Sequence, residues 1–213
     1  MHKLAHTDLN SWQLAWQSPA FRQKFVQSLS ASLLILSILP FFFDFIQTRS
    51  GTHLNDWLLL RLPARSVSVW IFGLLWGSGA WMVWRIWQQP HLALPLLAGY
   101  VLLTLTRMAT ILLFPLEPPV GLLELADPIS NQFYGEQFIT KDLFFSGHTS
   151  SVFLFAFVLD KPRERWIIGI FGVAVGILVL VQHVHYSIDV LVAPFATYFV
   201  VELAKKWANN QAS

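Results

Sequence analysis

The segment LALPLLAGYVLLTLTRMATILLF, residues 92–114, contains a single charged side chain, that of Arg107. A helix that crosses a membrane needs about 20 consecutive, mostly apolar residues, so this segment predicts a transmembrane helix. Five further apolar segments predict helices of the same kind: Phe25–Ile46, Ser66–Trp87, Leu143–Leu159, Trp166–Gln182 and Ser187–Ala204. The sequence therefore predicts an all-α polytopic membrane protein, a bundle of six transmembrane helices.

The composition of the 213 residues excludes several other classes of protein. Hydrophobic residues make up 55% and charged residues 12%, about half the roughly 25% charged content of a soluble domain. A soluble enzyme, a disordered chain and a collagen do not fit this balance. The lack of cysteine excludes disulfides and thiolate chemistry. The net charge of +2 is too small to indicate a nucleic-acid partner.

The chain is predicted to have three parts. Residues 25–204 form the six-helix transmembrane catalytic domain, between a cytoplasmic or interfacial N-terminal segment, residues 1–24, and a cytoplasmic tail, residues 205–213. With both termini in the cytoplasm, nine Lys and Arg residues lie on that side of the membrane and four on the other. This excess follows the positive-inside rule, so the opposite ends of the helices are predicted to be extracytoplasmic.

Three polar clusters lie towards the predicted extracytoplasmic side. Arg107 has neighbouring threonines in the third segment, DLFFSGHT (residues 142–149) opens the fourth, and HVHYSID (residues 183–189) opens the sixth. A charged side chain at the centre of a membrane helix costs about 2.5–3.5 kcal/mol, so such residues usually serve a function. Because the topology brings the three clusters to one face, we predict a single functional site there.

The cluster in the sixth segment has a pattern typical of nucleophilic or acid–base chemistry. His185 and Asp189 are spaced i, i+4, so the carboxylate can bind one imidazole nitrogen and leave the other free to react. His183 could join them in a metal site, but no further ligand cluster completes it. We favour an interfacial hydrogen-bonding role for His183, and neither a metal nor another cofactor is predicted.

The cluster in the fourth segment has the pattern of an anion-binding helix start. Ser146 is predicted to be the N-cap, and Gly147 allows close approach to the free N–H groups. A phosphate bound there would meet His148 as a general acid and Arg107 as a charged clamp. On a continuous helix Asp142 and His148 would point about 240° apart. If both serve the site, the four residues before Ser146 must be non-helical.

Two other groups of residues lie outside these clusters. Trp12 and Trp16 are four residues apart, which is typical of a helix lying in the membrane interface or of an aromatic-anchored tail. Acidic residues of the Pro-rich third loop are expected to be solvated, although one of them could assist the site. These residues are Glu117, Glu124, Asp127 and Glu136.

Two motifs resemble those of a known family. DxxxSGHT at residues 142–149 and HYxxD at residues 185–189 are similar to the paired motifs of the sphingomyelin synthase family, within the type 2 phosphatidic-acid phosphatase superfamily. RxxT at residues 107–110, followed by prolines, resembles the remaining family motif more loosely. The Cys-Gly that precedes the first motif in animal members is missing. The chain therefore resembles a compact bacterial relative, expected in the bacterial inner membrane.

The resemblance implies a six-span fold with an extracytoplasmic site and a covalent phosphohistidine intermediate. In this reading His185 is the nucleophile, Asp189 orients it, and His148 donates a proton to the departing lipid alcohol. Asp142 is a supporting acid. The substrate-binding residues would be Ser146, Gly147 and Arg107. The implied reaction moves a phosphocholine or phosphoethanolamine head group from phosphatidylcholine or phosphatidylethanolamine to ceramide and releases diacylglycerol.

A lipid phosphate phosphatase is the nearest alternative. Such enzymes usually have an Arg-Pro motif, a proline before Ser-Gly-His, and a Ser-Arg before the nucleophilic histidine. This chain has no Arg-Pro, has Phe145 at the proline position, and has Leu178 and Val179 at the Ser-Arg positions. A phosphodiester carries one negative charge and a phosphomonoester up to two. The smaller number of cations therefore favours head-group transfer or phospholipase C-like cleavage over monoester hydrolysis.

A second alternative is a non-catalytic bundle that binds or transports lipid. Such a protein would need only the cations to recognise a head group. The His185–Asp189 pair on the same face as the predicted anion-binding helix start favours catalysis. The sequence does not identify the head group, the oligomeric state, or whether the acceptor is ceramide, another lipid alcohol or water.

Overall fold

The computed structural model of the protein describes residues 11–125 and 139–210, and they confirm the predicted all-α class. Two short 3₁₀ turns lie at Leu59–Arg61 and Pro90–Leu92. Seven α-helices follow one another along this part of the chain: α1 Ser11–Gln17, α2 Pro19–Gln47, α3 Ser68–Gln88, α4 Ala93–Leu113, α5 Gly147–Val158, α6 Pro162–Val181 and α7 Ser187–Asn209.

Proline and serine determine where two of the long helices begin. Ser18 is the N-cap of α2 and accepts a hydrogen bond from Phe21 N at 3.3 Å, with Pro19 at the first helical position. Pro162 has the same place in α6. Proline fits this position because its missing N–H would have no partner in the first turn. Helix α2 therefore starts at Pro19 and not at the predicted Phe25.

The loops collect at two ends of the bundle. At one end, which we call the site end, the 48–67 loop contacts the segment after α4 and the end of α6. Thr52 N donates to Pro115 O at 3.0 Å, and Arg65 N donates to Val181 O at 3.0 Å. At the other end, the tail end, Trp12 Nε1 donates to Trp87 O at 3.1 Å. Consecutive helices from α2 to α7 therefore run in opposite directions.

Helix α5 lies at the centre of the bundle and contacts α3, α4, α6 and α7. Its side chains at Val152 and Ala156 are fully buried. A Cβ on Gly176 of α6 would lie 2.8 Å from Val190 Cγ1 of α7 and 3.6 Å from Thr149 Cγ2 of α5. Small residues let helix backbones approach closely, so Gly176 allows the starts of α5 and α7 to lie side by side.

Within residues 11–125 and 139–210, four helices are long and apolar enough to cross a membrane: α2, α4 extended by the preceding turn to Pro90–Leu113, α6 and α7. The protein is thus an integral membrane protein, but the predicted count of six spans is not confirmed. Helix α3 is 21 residues long and contains five tryptophans together with serine, glycine and arginine, which lower its mean hydropathy.

The predicted helix Leu143–Leu159 is wrong at its start. Residues 143–146 are not helical, and α5 runs only from Gly147 to Val158, 12 residues. At 1.5 Å per residue it is about 18 Å long, well short of the roughly 30 Å hydrocarbon layer. A non-helical segment that belongs to the site takes the place of the predicted first turn.

A buried ion pair at the tail end joins α3 to α6. Arg85 is 3% exposed, and its Nε donates to Glu164 Oε2 at 2.8 Å. Its Nη1 donates to Gln88 Oε1 at 2.6 Å. A buried charge is tolerated when it is paired and hydrogen-bonded, and is strongly destabilising when its partner is removed.

We expect Glu164→Gln to lower the free energy of unfolding by about 3–5 kcal/mol, because it leaves the Arg85 charge buried without a counter-charge. The double variant Arg85→Met/Glu164→Leu should recover most of this loss. Denaturant unfolding in detergent micelles measures both. His91→Ala, which removes an exposed pair with Asp160, is the control. Equal losses in the single and double variants would contradict the interpretation.

Candidate active site

Helix α4 holds the segment before α5 in a non-helical conformation. Arg107 Nε donates to Phe145 O at 2.9 Å, and Arg107 Nη2 donates to Asp142 Oδ1 at 2.6 Å. One turn further on, Thr110 Oγ1 donates to Phe144 O at 2.8 Å. The RxxT spacing places both side chains on one face of α4. The sequence required this segment to be non-helical if Asp142 and His148 share a site, and it is.

The start of α5 has the predicted capping geometry. Ser146 is the N-cap, and its Oγ accepts a hydrogen bond from Thr149 N at 3.4 Å. Ser146 N donates to Asp189 O at 3.1 Å, which joins the start of α5 to the first turn of α7. A Cβ on Gly147 would lie 2.7 Å from Arg107 Cζ. The prediction of a serine cap is confirmed; the group that approaches Gly147 closely is the Arg107 guanidinium, and the approach of an anion to the N–H groups stays a prediction.

The first turn of α7 holds an imidazole against a buried carboxylate. His185 Nδ1 lies 3.4 Å from Asp189 Oδ2, which also accepts a hydrogen bond from Tyr186 N at 3.0 Å. His185 is 3% exposed and Asp189 fully buried. The contact is longer than the roughly 2.7–2.9 Å of a charge-assisted hydrogen bond, and catalytic hydrogen bonds commonly shorten when substrate binds. With Nδ1 directed at Asp189, Nε2 is the ring nitrogen available for chemistry.

His148 and His185 face one another in a cleft at the site end. Their ring centroids are 6.1 Å apart, in an edge-to-face arrangement, and Phe72 packs edge-on against His148 at 6.0 Å. The cleft has about 320 Å³ of space, part of it open to solvent. It is lined by Leu122, Leu125, Ile139, Thr140, Asp142, His148, Val184 and His185. The three predicted clusters therefore meet, and the catalytic roles of their residues stay predictions.

Sequence reasoning missed the importance of Gln182. This side chain is fully buried. Its Oε1 accepts from Val67 N at 2.9 Å, and its Nε2 donates to Glu124 O at 2.9 Å and Ser68 Oγ at 2.8 Å. Gln182 thus ties the turn between α6 and α7 to the start of α3 and to the loop that forms one wall of the cleft. A glutamine at a helix end gives no sequence signal for such distant partners.

His183 lies beside the site and does not line the cleft. Its Nδ1 is 3.0 Å from Val120 O and its Nε2 is 3.0 Å from Leu62 O, with a backbone φ of 57°. The hydrogen-bonding interpretation of His183 is confirmed. Within residues 11–125 and 139–210, no group of three or more His, Cys, Asp or Glu residues is arranged to hold a metal ion.

Asp56 is a second residue that sequence reasoning missed. Its Oδ2 accepts from Ser187 N at 2.6 Å and its Oδ1 from Ser187 Oγ at 3.1 Å, so it caps the helix that carries Asp189. Burial raises the pKa of Asp56, but hydrogen bonds from Ser187, Leu58 and Leu59 outweigh burial and hold that pKa below its ordinary value of 3.8. The 131-residue separation from Ser187 hides this contact from sequence patterns.

Of the acidic residues of the third loop, Glu117 differs from the solvated default, whereas the side chain of Glu124 is exposed as expected. Glu117 is half-buried; its Oε1 accepts from Gly51 N at 2.8 Å and from Lys141 Nζ at 3.0 Å. The hydrogen bond from Lys141 lowers the pKa of Glu117. Glu124 contributes its backbone carbonyl to Gln182. Asp127 and Glu136 lie outside the described residues.

Residues 141–206 match a family model described as the PAP2 superfamily C-terminal region. The matched part contains both histidine motifs and supports the type 2 phosphatidic-acid phosphatase superfamily, without distinguishing its sphingomyelin synthase-like branch. No curated protein matches the chain. Members of this superfamily are phosphatases and phosphotransferases that act on lipid phosphates, and the protein is an enzyme that acts on phospholipids.

We expect Gly147→Ala to reduce activity by about 10- to 100-fold, because the new methyl group displaces the Arg107 guanidinium from Asp142 and misplaces the site by about an ångström. The melting temperature should also fall, because a largely buried guanidinium then loses its counter-charge. Turnover and thermal unfolding of the same preparation test this. Gly73→Ala, where a Cβ meets no atom within 4 Å, is the control. Full activity of Gly147→Ala would contradict the arrangement.

Asp56→Asn tests the cap of α7 through the pH dependence of the melting temperature. Because the folded pKa of Asp56 lies below 3.8, the ionised carboxylate stabilises the fold above that pH, and this contribution is lost as the pH falls through the folded pKa. The difference in melting temperature between wild type and variant should be constant from about pH 7 to about pH 5 and shrink below about pH 3.8. Asp44→Asn, an exposed carboxylate on α2, is the control.

Proposed function

We propose that the protein is a phospholipid head-group transferase. It moves a phospho-head group from a glycerophospholipid, phosphatidylcholine or phosphatidylethanolamine, to a lipid alcohol such as ceramide, by a covalent phosphohistidine route. The observation that carries the proposal is the His185–Asp189 pair, with Nδ1 and Oδ2 3.4 Å apart, facing His148 in one cleft. The match of residues 141–206 to the PAP2 superfamily supports the coarser reaction class.

In the first step His185 Nε2 attacks the phosphorus of the donor lipid. An N–P bond forms and the P–O bond to diacylglycerol breaks, while His148 transfers a proton to the departing oxygen. Asp189 stabilises the positive charge that develops on the His185 ring, as the carboxylate does in the Ser-His-Asp triad. In the second step His148 takes the proton of the acceptor hydroxyl, the new O–P bond forms, and the N–P bond breaks.

Charge balance favours a diester substrate. The one guanidinium beside the start of α5, that of Arg107, is already paired with Asp142 at 2.6 Å. The remaining positive potential comes from the N-terminal N–H groups of α5 and from the two histidines. This suits one negative charge better than two, so transfer between diesters is favoured over the hydrolysis of a phosphatidic-acid monoester. A lipid phosphate phosphatase is the second candidate, because the superfamily match applies to it equally.

We also propose that residues 25–204 form the catalytic domain and that the cleft is extracytoplasmic. Helices α1 and α7 place both ends of the described chain at the tail end, opposite the cleft. The excess of Lys and Arg on the terminal side supports a cytoplasmic tail end. Donor and acceptor lipids would then be drawn from the leaflet away from the cytoplasm.

A product assay tests the proposal. The purified protein is placed in liposomes with labelled phosphatidylcholine and phosphatidylethanolamine, with and without ceramide, and the lipids are separated. We expect diacylglycerol together with a new head-group-bearing sphingolipid. His185→Ala should lower turnover by at least about 10⁴-fold, since a nucleophile is removed. His91→Ala, an exposed histidine at the tail end, is the matched control and should retain full activity.

The other outcomes separate the alternatives. Diacylglycerol without a sphingolipid product indicates hydrolysis by the same site. Phosphate released from phosphatidic acid, with no product from any diester, supports the phosphatase. Saturable lipid binding without any product, unchanged in His185→Ala, would establish a non-catalytic lipid-binding bundle and end the enzymatic assignment of these residues.

A further inference from the structure

The loop between α2 and α3 presents large apolar side chains away from the protein at the site end. Trp57 is 67% exposed and Leu60 75% exposed. Between them Leu59 is 6% exposed and packs in a small cluster with Leu143 and Tyr186. One short turn therefore has two apolar sides. The inner side packs against residues of the site, and the outer side is mostly exposed. We call the outer side, Trp57 and Leu60 with Arg61, the turn surface.

Hydrogen bonds fix the backbone of the turn surface against the site. Asp56 accepts hydrogen bonds from Leu58 N at 3.0 Å and Leu59 N at 3.3 Å, and its second oxygen accepts from Ser187 N at 2.6 Å. Leu54 N donates to Tyr186 OH at 3.2 Å. Because the turn is fixed on both sides, Trp57 and Leu60 cannot rotate inward to become buried.

The exposed charges of the loop that carries the turn surface are positive. Arg61 and Arg65 are exposed, and Asp56, the acidic residue of the loop, is directed inward to Ser187. The Arg61 guanidinium lies over the Trp57 ring, with Cζ 5.2 Å from its centroid, and Nη1 donates to Trp57 O at 3.1 Å. Tryptophan and arginine together are typical of the head-group layer of a membrane, where the indole meets the acyl boundary and the cation meets phosphate.

Residues 62–67 join the turn surface to helix α3, whose first turn has further exposed apolar side chains. Helix α3 begins at Ser68, and the next two side chains, Val69 and Trp70, are 81% and 69% exposed. The exposed apolar surface at the site end therefore extends from the turn surface to the start of α3.

We propose that the turn surface is a binding site for anionic phospholipid head groups in the leaflet at the site end. Trp57 and Leu60 insert at the boundary between head groups and acyl chains, and Arg61 and Arg65 bind the phosphates. This inference does not depend on the reaction that the site catalyses. The same turn, which caps α7 through Asp56, therefore has a second contact, with the membrane surface.

The absence of cysteine from the chain permits a direct test. Leu60→Cys is labelled with a polarity-sensitive fluorophore. The protein is then placed in liposomes of phosphatidylcholine alone or of phosphatidylcholine with about 30 mol% phosphatidylglycerol, an anionic lipid. Quenching by aqueous iodide is compared with quenching by lipids that carry a nitroxide near the head group. Phe199→Cys, on the exposed side of α7, is the reference for a position inside the hydrocarbon layer. Trp57→Cys replaces Leu60→Cys if the latter does not fold.

We expect the Leu60 label to be quenched by the shallow nitroxide and to lose iodide access by about fivefold when anionic lipid is present. Arg61→Gln/Arg65→Gln should remove this dependence on anionic lipid and leave the Phe199 label unchanged. Equal iodide quenching in both liposomes overturns the proposal. Protection from iodide without quenching by the lipid nitroxide also overturns it, because a protein surface would then cover the turn.

Discussion

The ion pair between Arg107 and Asp142 is the interaction on which the shape of the site end depends. A guanidinium within an apolar helix must be paired and hydrogen-bonded, and Arg107 meets this need by binding the Asp142 carboxylate and the Phe145 carbonyl. Both acceptors belong to the segment before α5; on a continuous helix Asp142 and His148 would point about 240° apart. The pairing keeps that segment non-helical, so that α5 begins only after the Ser146 cap and is short. The helix start that is proposed to bind an anion therefore lies within the protein and not at its rim.

The turn between α6 and α7 supplies the second constraint. Its backbone and side chains lie among loops at the edge of a membrane, where an unpaired buried polar group costs several kcal/mol. Gln182 and His183 use their side chains to satisfy carbonyls and an amide of two other loop segments, the 48–67 loop and the loop after α4. Ser187 is held by Asp56 from the loop after α2. His185 thus stands on a turn that is fixed on all sides, which limits how far its ring can move relative to His148.

Much of this arrangement could be predicted from local sequence. Apolar segments with few charges predicted the positions of the helices, and the Ser-Gly-His and His-x-x-x-Asp spacings predicted a capped helix start and an imidazole–carboxylate pair. The start of α5 was predicted four residues too early, since Leu143, Phe144 and Phe145 are as apolar as the helix that follows. Only the tertiary contact with Arg107 and Thr110 excludes them from it. Asp56 and Gln182 were missed because Asp56 binds Ser187 and Gln182 binds Val67, each more than a hundred residues away along the chain, and a spacing rule detects only neighbours in sequence.

The same ion pair bears on which phosphate the site suits. Because Asp142 neutralises Arg107, the cleft has little fixed positive charge, and much of its cationic character depends on the protonation of His148 and His185. In the proposed transfer, a proton on His148 is consumed as diacylglycerol leaves in the first step, and it is recovered from the hydroxyl of the acceptor in the second step. The charge of the cleft plus bound phosphate therefore returns to its starting value after each cycle. A dianionic monoester would need an additional permanent cation, and Asp142 occupies the place on Arg107 where a second phosphate charge would otherwise bind. The proposed preference for diesters thus follows from the contact that shapes α5.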